Sequence, residues 1–155
     1  ALKILADKAG IYGMVGGQVV DVASCGVGLD EGMLNFIYEL KTGALIESSM
    51  MIGALLAGAD EAEIEKVQKI ASDVGIAFQI QDDILDVTST TEELGKPVHS
   101  DEKNEKTTYV TLKGLEKATA DVEAISQEAL DLLAGLDREN LYLTQLIQEL
   151  IHRKK

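Results

Sequence analysis

The sequence predicts an all-α protein built as an antiparallel helical bundle. Its 155 residues contain a single proline, the residue that interrupts helices most strongly. Apolar residues recur at intervals of three and four along most of the chain, which is the spacing of one helix face, and β-branched runs are few. The length is sufficient for one domain with its own hydrophobic core.

Composition excludes several classes of partner. The net charge of −13 argues against nucleic acid or an anionic membrane as a general partner. Cys25 is the only cysteine, so no internal disulfide forms and a reducing compartment is favoured. The chain has no basic-then-apolar leader and no apolar run of the roughly eighteen residues that a membrane helix needs. We therefore expect a cytoplasmic protein without stable membrane insertion.

Residues 1–24 are predicted to form one helix that contains four glycines. Spacings of three and four put most of these glycines on one side, where another helix or a ligand can approach closely. They are Gly10, Gly13, Gly16 and Gly17. Gln18 and Asp21 are three residues apart and face the same way, either as a solvated polar pair or as part of a site.

A glycine-containing loop at residues 24–29 separates this helix from the next, for which Asp30 is the predicted N-cap. Inside that second helix lies the segment KTGA, beginning at Lys41. It is either an interruption where Lys41 and the backbone meet an anion, or simply an exposed lysine. The helix resumes to residue 55 almost without charge, which predicts burial on most of its sides.

The longest helix is predicted to begin after Asp60, which with Glu63 resembles a capping box, and its apolar face extends to Val87. Residues 78–86 of this helix read FQIQDDILD. Four polar side chains of the segment share an arc of about 100° on a helical wheel. They are Gln79, Asp82, Asp83 and Asp86.

This acidic arc predicts a bound cation, because carboxylates four residues apart repel and are seldom buried unless paired or metal-bound.

Residues 95–106 lack helical periodicity and form a predicted loop with three lysines. His99 in this loop is a poor candidate for a metal ligand, because no second His or Cys lies nearby. Amphipathic segments are predicted at residues 109–118 and 122–133.

A break is predicted at residues 135–137, before a last helix and a basic tail at residues 152–155 that we interpret as solvated or frayed.

The residue types of the acidic arc indicate which metal ion it would bind. Oxygen-only ligands on a rigid helix favour Mg²⁺ over zinc, and Mg²⁺ commonly bridges to phosphates. Lysines facing such a site indicate a diphosphate between them and the metal.

The segment FQIQDDILD, with GQVVD upstream, KTGAL between them, and a GK pair and a further lysine downstream, resembles the trans-isoprenyl diphosphate synthases. These are the farnesyl and geranylgeranyl diphosphate synthases of the polyprenyl synthetase family. The resemblance covers essentially all of residues 1–155, but only the C-terminal half of the family's single catalytic domain. It implies the C-terminal half of the isoprenoid synthase fold, with the N-terminal half and its DDxxD motif absent.

The resemblance also implies roles for individual residues. Asp82 is similar to the direct Mg²⁺ ligand of the second aspartate-rich motif, while Asp83 and Asp86 would act through metal-bound water or neighbouring contacts. Mn²⁺ is a potential substitute for the metal. The residues implied to clamp the allylic diphosphate are Lys41, Lys96 and Lys106. Those implied to face the allylic carbocation are Thr42 and Gln79. Phe78 would border the isopentenyl diphosphate site, and Gln18 and Asp21 would line the cavity between helices. The basic tail at residues 152–155 resembles the family's C-terminal lid, which would help to exclude water.

The implied reaction is ionisation of an allylic diphosphate followed by attack of isopentenyl diphosphate on the allyl cation. The implied partners are these two substrates, the N-terminal half of the enzyme and a second copy in a homodimer. Without the N-terminal half the chain is expected to be inactive. The family sets the length of its product mostly around the first aspartate-rich motif, which lies in that N-terminal half.

Two departures from the family pattern occur. Tyr38 stands three residues before Lys41 where many members have histidine, and Val110 follows a tyrosine where many have proline. We interpret both as tolerated variation.

Two alternatives remain: a non-catalytic helical partner subunit of such a synthase, and a class I terpene cyclase. Cyclases usually carry an Asn/Ser/Glu metal motif, which this sequence lacks.

Overall fold

The structure, a computed structural model, describes residues 1–90, 106–151 and 153. Within these residues every regular element is helical, which confirms the predicted all-α class. The α-helices are α1 (Leu2–Ala9), α2 (Met14–Ala23), α3 (Glu31–Tyr38), α4 (Ala44–Leu56), α5 (Glu61–Thr88), α6 (Tyr109–Lys113), α7 (Leu115–Ala134) and α8 (Leu141–Ile151). A π-helical turn (Glu39–Gly43) joins α3 directly to α4.

Helix α5 is the centre of the molecule. It packs against α4 and α7 along much of its length and also contacts the π-helical turn and α8. The predicted capping box is present: the Asp60 carboxylate accepts from the Glu63 backbone N–H at 2.9 Å, and Glu63 accepts from the Asp60 N–H at 3.3 Å. Ile70 and Ile80 of α5 are fully buried in the core. A short turn folds α5 back on α4, so the two run antiparallel.

Several predicted boundaries are wrong. The helix expected over residues 1–24 is broken between α1 and α2, where glycine disfavours a continuous helix. The helix expected to divide between residues 118 and 122 is continuous in α7, and the chain turns instead at Gly114, whose φ of 82° favours glycine. Helix α4 is less buried than predicted, because Leu45 and Leu55 are exposed. The predicted N-cap Asp30 is confirmed by its bond to the Met33 N–H at 2.8 Å.

Glycines allow the backbone of the π-helical turn to be approached from two sides. A Cβ on Gly75 of α5 would lie 2.8 Å from the Gly43 Cα, closer than real Cβ contacts. A Cβ on Gly17 of α2 would lie 2.5 Å from the Lys41 backbone nitrogen. The prediction that the glycine-rich helix permits close approach is therefore confirmed at Gly17.

Two buried carboxylates outside the candidate site have basic or amide partners. Glu47 of α4 is ion-paired with Lys8 of α1 and accepts from the Gln68 amide of α5 at 3.0 Å, so it links three helices. Asp73 of α5 is paired with Lys69 at 2.5 Å. Burial raises the pKa of Asp73 above its usual value, against the opposing effect of Lys69.

None of the helices described here is both long enough and apolar enough to cross a membrane. Most of the predicted lysine-containing loop, including Lys96 and His99, lies outside the described residues.

The packing of α5 on the π-helical turn predicts opposite effects for two glycine-to-alanine substitutions. Gly75→Ala should lower the free energy of unfolding by about 1–3 kcal/mol, because its methyl group meets backbone that cannot rotate away. Gly53→Ala is the matched control in α4, where nothing lies within 4 Å of the added Cβ. It should raise stability by about 0.5–1 kcal/mol. Urea unfolding followed by circular dichroism measures both, and equal stability of the two variants would contradict the packing argument.

Candidate functional site

The C-terminal third of α5 carries the acidic arc, and the structure divides its aspartates by exposure. The Asp82 side chain is 39% exposed. Asp83 and Asp86 are buried. Buried carboxylates require hydrogen-bond donors or positive charge close by.

A cavity of about 130 Å³ lies beside this part of α5. It is bounded by α2, α3, the π-helical turn, α5 and the segment that leads into α6. Its charged lining residues are Asp21, Lys41, Asp82, Asp83 and Lys106. Its uncharged polar lining residues are Ser24, Tyr38, Gln79, Thr107 and Thr108. Its remaining lining residues are Cys25, Leu29, Leu34 and Ile37. The cavity therefore combines ionic groups with one apolar wall.

Two lysines distant in sequence meet at one carboxylate oxygen in this cavity. The Lys41 Nζ of the π-helical turn donates to Asp21 Oδ2 at 2.6 Å. The Lys106 Nζ, just before α6, lies 3.6 Å from the same Asp21 oxygen. The side chains of both lysines are 31% exposed. Two ammonium groups that converge beside a cavity can be bridged by one multiply charged anion.

Asp83 lies at the base of the same cavity, where its Oδ2 accepts two hydrogen bonds. The Tyr38 hydroxyl donates to it from the end of α3. The Tyr109 backbone N–H donates to it at 2.6 Å from the start of α6. The buried carboxylate is thus stabilised by donors from two other elements.

Arg153 also belongs to this site. The sequence interpretation took the basic tail as solvated or frayed or, by resemblance, as a lid, and it assigned no contact to Arg153. Its Nη2 donates to Asp82 Oδ1 at 3.0 Å, and its guanidinium carbon lies 3.9 Å from the centroid of the Phe78 ring. The Gln81 amide donates to the Arg153 carbonyl oxygen at 3.4 Å. A basic cluster at the end of a strongly acidic chain was the available signal.

The donor chemistry of the site fits one side of a Mg²⁺ centre. Carboxylate and amide oxygens are offered by Asp82, Asp83 and Gln79, and Mg²⁺ prefers such ligands together with water and phosphate oxygens. In the part of the chain that the structure describes, no three or more acidic, His or Cys side chains lie close enough together to hold a metal ion. Asp82 is the most exposed of the three aspartates, whereas an oxygen of Asp83 is engaged by protein donors.

Of the remaining predicted site residues, those that the structure describes do not line the cavity. Gln18 and Thr42 are half-buried on α2 and on the π-helical turn. Phe78 stacks under Arg153, and Asp86 is buried further along α5. Lys96 lies outside the described residues. The roles of all these residues stay predictions.

Beyond the cavity, the Tyr109 hydroxyl donates to Asp121 Oδ2 at 2.8 Å and ties α6 to α7. Burial, reinforced by the bond to Asp121, raises the pKa of Tyr109 to about 12. The pKa of Asp121 is lowered below its usual value, chiefly by its hydrogen bond with Lys117 and also by that with Tyr109. The phenol therefore stays protonated and the carboxylate ionised across the physiological range.

The sequence profile of the polyprenyl synthetase family matches residues 1–145. The chain is 44% identical over 144 residues to the heterodimeric geranylgeranyl pyrophosphate synthase large subunit 1, chloroplastic, of Arabidopsis thaliana; the match covers 91% of this chain and 39% of that protein. It is also 44% identical over 138 residues to the geranylgeranyl pyrophosphate synthase, chloroplastic, of Capsicum annuum, covering 88% of this chain and 37% of that protein. The chain thus spans about two fifths of these relatives' length.

Among solved structures, the fold is similar to that of a geranyltransferase from Helicobacter pylori in complex with magnesium and isoprenyl diphosphate. The two are 34% identical with a TM-score of 0.81, and the likeness covers 97% of this chain and 49% of that one. The agreement extends over nearly the whole bundle, including α5 and the elements around the cavity.

The Tyr109–Asp121 contact predicts a pH-dependent stability difference. Asp121→Asn should lower the free energy of unfolding at pH 7 by about 1 kcal/mol, because a charged acceptor is lost. The folded-state pKa of Asp121 is depressed, so its stabilisation is present above the usual value of 3.8 and is lost as the pH falls through the folded-state pKa. The difference between the two proteins should therefore shrink in acid.

Thermal and urea unfolding at neutral and acidic pH measure this difference, with Glu123→Gln as a control on an exposed position of the same helix. A difference that stays constant with pH would show that the ionised carboxylate of Asp121 does not contribute to stability.

Proposed function

Because this chain belongs to the polyprenyl synthetase family, we propose that it forms the C-terminal part of a magnesium-dependent prenyltransferase. The proposed enzyme condenses isopentenyl diphosphate with an allylic diphosphate, and the relatives favour the geranylgeranyl diphosphate synthase type. One observation carries the proposal: Lys41 and Lys106 converge on Asp21 in the same cavity that Asp82 lines.

In the proposed site, the two lysines bind oxygens of the allylic diphosphate and stabilise the negative charge that develops as it leaves. Asp82 would hold Mg²⁺ on the α5 side, and Asp83 would keep the surrounding elements in place. When bound, the metal neutralises further charge on the diphosphate. Lys96 would clamp the allylic diphosphate, as the family resemblance implies. Asp86 would support the metal through bound water or neighbouring contacts, also by resemblance.

The chemistry requires an anion site next to a dry surface. The C–O bond of the allylic diphosphate breaks, and diphosphate leaves with the bonding electrons. The double bond of isopentenyl diphosphate then forms a new C–C bond to the allyl cation, and a proton is lost to the departing diphosphate. The side-chain oxygen of Gln79, which lines the cavity, would face the cation. For Thr42, which does not line the cavity, the same role rests on the family resemblance alone. Leu34 and Ile37, which line the cavity, would keep water away from it.

The second candidate is a non-catalytic partner subunit of such a synthase. A relative named as the large subunit of a heterodimeric enzyme favours considering it. The ionic residues around the cavity favour the hypothesis that the chain is part of a catalytic subunit. A scaffold subunit has no physical need for two lysines converging beside an acidic helix face. A homodimer is part of the proposal. The cytoplasmic location stays a prediction beside plant relatives whose names place them in the chloroplast.

We predict that the chain alone does not elongate prenyl diphosphates, because it spans only 39% of the Arabidopsis relative. Fused behind the N-terminal half of that relative, it should incorporate radiolabelled isopentenyl diphosphate into prenyl products, and only with Mg²⁺ present. The same N-terminal half without the chain is the control. Full turnover by the chain alone would contradict the proposed division of the active site.

In the active fusion, Asp82→Ala should lower kcat by about two decades or more, because a charge-stabilising group is removed from the reacting diphosphate. Glu65→Ala on an exposed position of the same helix is the matched control and should leave kcat unchanged. Steady-state kinetics with both diphosphates provide the measurement. Wild-type turnover in the Asp82 variant would favour the partner-subunit alternative.

A further inference from the structure

Tyr38 occupies the junction between α3 and the π-helical turn, and it is buried. Its hydroxyl donates to Asp83 Oδ2 across the base of the cavity. The family resemblance gave this position no role beyond tolerated variation. The observed contact is a buried hydrogen bond to a carboxylate, which is a strong and directional interaction.

A second donor reaches the same oxygen from a third element. The Tyr109 backbone N–H donates to Asp83 Oδ2 at 2.6 Å and also lies 3.3 Å from the Tyr38 hydroxyl oxygen. Tyr38, Asp83 and Tyr109 therefore form one buried node that joins α3, α5 and the start of α6. We refer to these three residues as the tyrosine–aspartate node.

The node stands between the two segments that carry the cavity lysines. Lys41 follows Tyr38 by three residues, and Lys106 precedes Tyr109 by three residues. Both ammonium groups lie within 3.6 Å of the same Asp21 oxygen, although their like charges repel. Holding two such groups at a spacing that one diphosphate can bridge requires the backbones that bear them to be fixed to each other.

We propose that Tyr38 is a positioning residue for diphosphate binding: through Asp83 it fixes the distance between Lys41 and Lys106. This inference rests on the proposed function for the identity of the anion. Its geometric part, that the Tyr38 hydroxyl holds the segment at residues 106–109, stands on the hydrogen bonds alone. Histidine also carries an N–H donor, whereas phenylalanine fills the space without one.

The test compares Tyr38→Phe with Tyr38→His in the chain as it stands. Amide hydrogen exchange at Tyr109 reports whether the node is intact, and calorimetry reports the affinity for inorganic diphosphate. Tyr38→Phe should raise both the exchange rate and the Kd about tenfold, the effect of losing one hydrogen bond to a charged group. Tyr38→His should restore both values to near those of the parent. Tyr12→Phe, at a tyrosine that is 87% exposed, is the matched control.

Coupling to a lysine separates positioning from a general structural role. Lys106→Ala should weaken diphosphate binding strongly in the parent but little further in the Tyr38→Phe background, because that lysine is already displaced there. Fully additive effects, or unchanged exchange at Tyr109 in Tyr38→Phe, overturn the proposal. If Tyr38→Phe fails to fold, the Tyr38→His variant decides the question. Slow exchange at the Tyr109 amide and an unchanged Kd for inorganic diphosphate in that variant support positioning by a hydrogen-bond donor. Loss of both overturns the proposal.

The same measurements separate failure of this inference from failure of the proposed function. A parent chain that does not bind inorganic diphosphate overturns the proposed anion and with it the ligand named here. The exchange rate at Tyr109 then still decides whether Tyr38 holds the lysine-bearing segment. Normal diphosphate binding with no response to Tyr38→Phe overturns the positioning role alone.

Discussion

The buried carboxylate of Asp83 holds together the elements that surround the cavity. Burying such a group is unfavourable unless donors replace its hydration, and here two donors come from separate parts of the chain. Removing either donor would leave the buried carboxylate with less compensation. Asp83 is therefore a structural anchor on the same helix that carries Asp82 on the cavity wall.

The charges around the cavity are compensated within the described part of the protein, so a ligand must exchange partners with them. Asp21 faces both cavity lysines, and Arg153 pairs with Asp82. An incoming diphosphate would compete with Asp21 for the ammonium groups, and a metal ion would compete with Arg153 for Asp82. Such internal pairing reduces the repulsion between like charges around the cavity. A multiply charged ligand would compete for these groups better than a singly charged one.

Much of this arrangement follows from local sequence, and the part that does not depends on contacts between distant residues. The start of α5 and the cap at Asp30 were predictable because their side chains bond to backbone three residues away. The π-helical turn was predictable as an interruption, but its form was not, since it depends on Gly75 packing against Gly43. The contacts of Arg153 and Tyr38 were not predictable, because their partners lie 71 and 45 residues away, beyond any periodicity.

The position of Lys41 is the clearest case of such long-range control. The π-helical turn that bears it is fixed to α5 at both ends: Tyr38 before the turn bonds to Asp83, and Gly43 at its end meets Gly75. These two anchors on α5 are about 12 Å apart, at a rise of 1.5 Å per residue. A π-helical turn is an unfavourable form that persists where surrounding contacts impose it. Fixing both ends to one rigid helix supplies those contacts, so the same helix that carries the acidic arc also determines where the lysine opposite it lies.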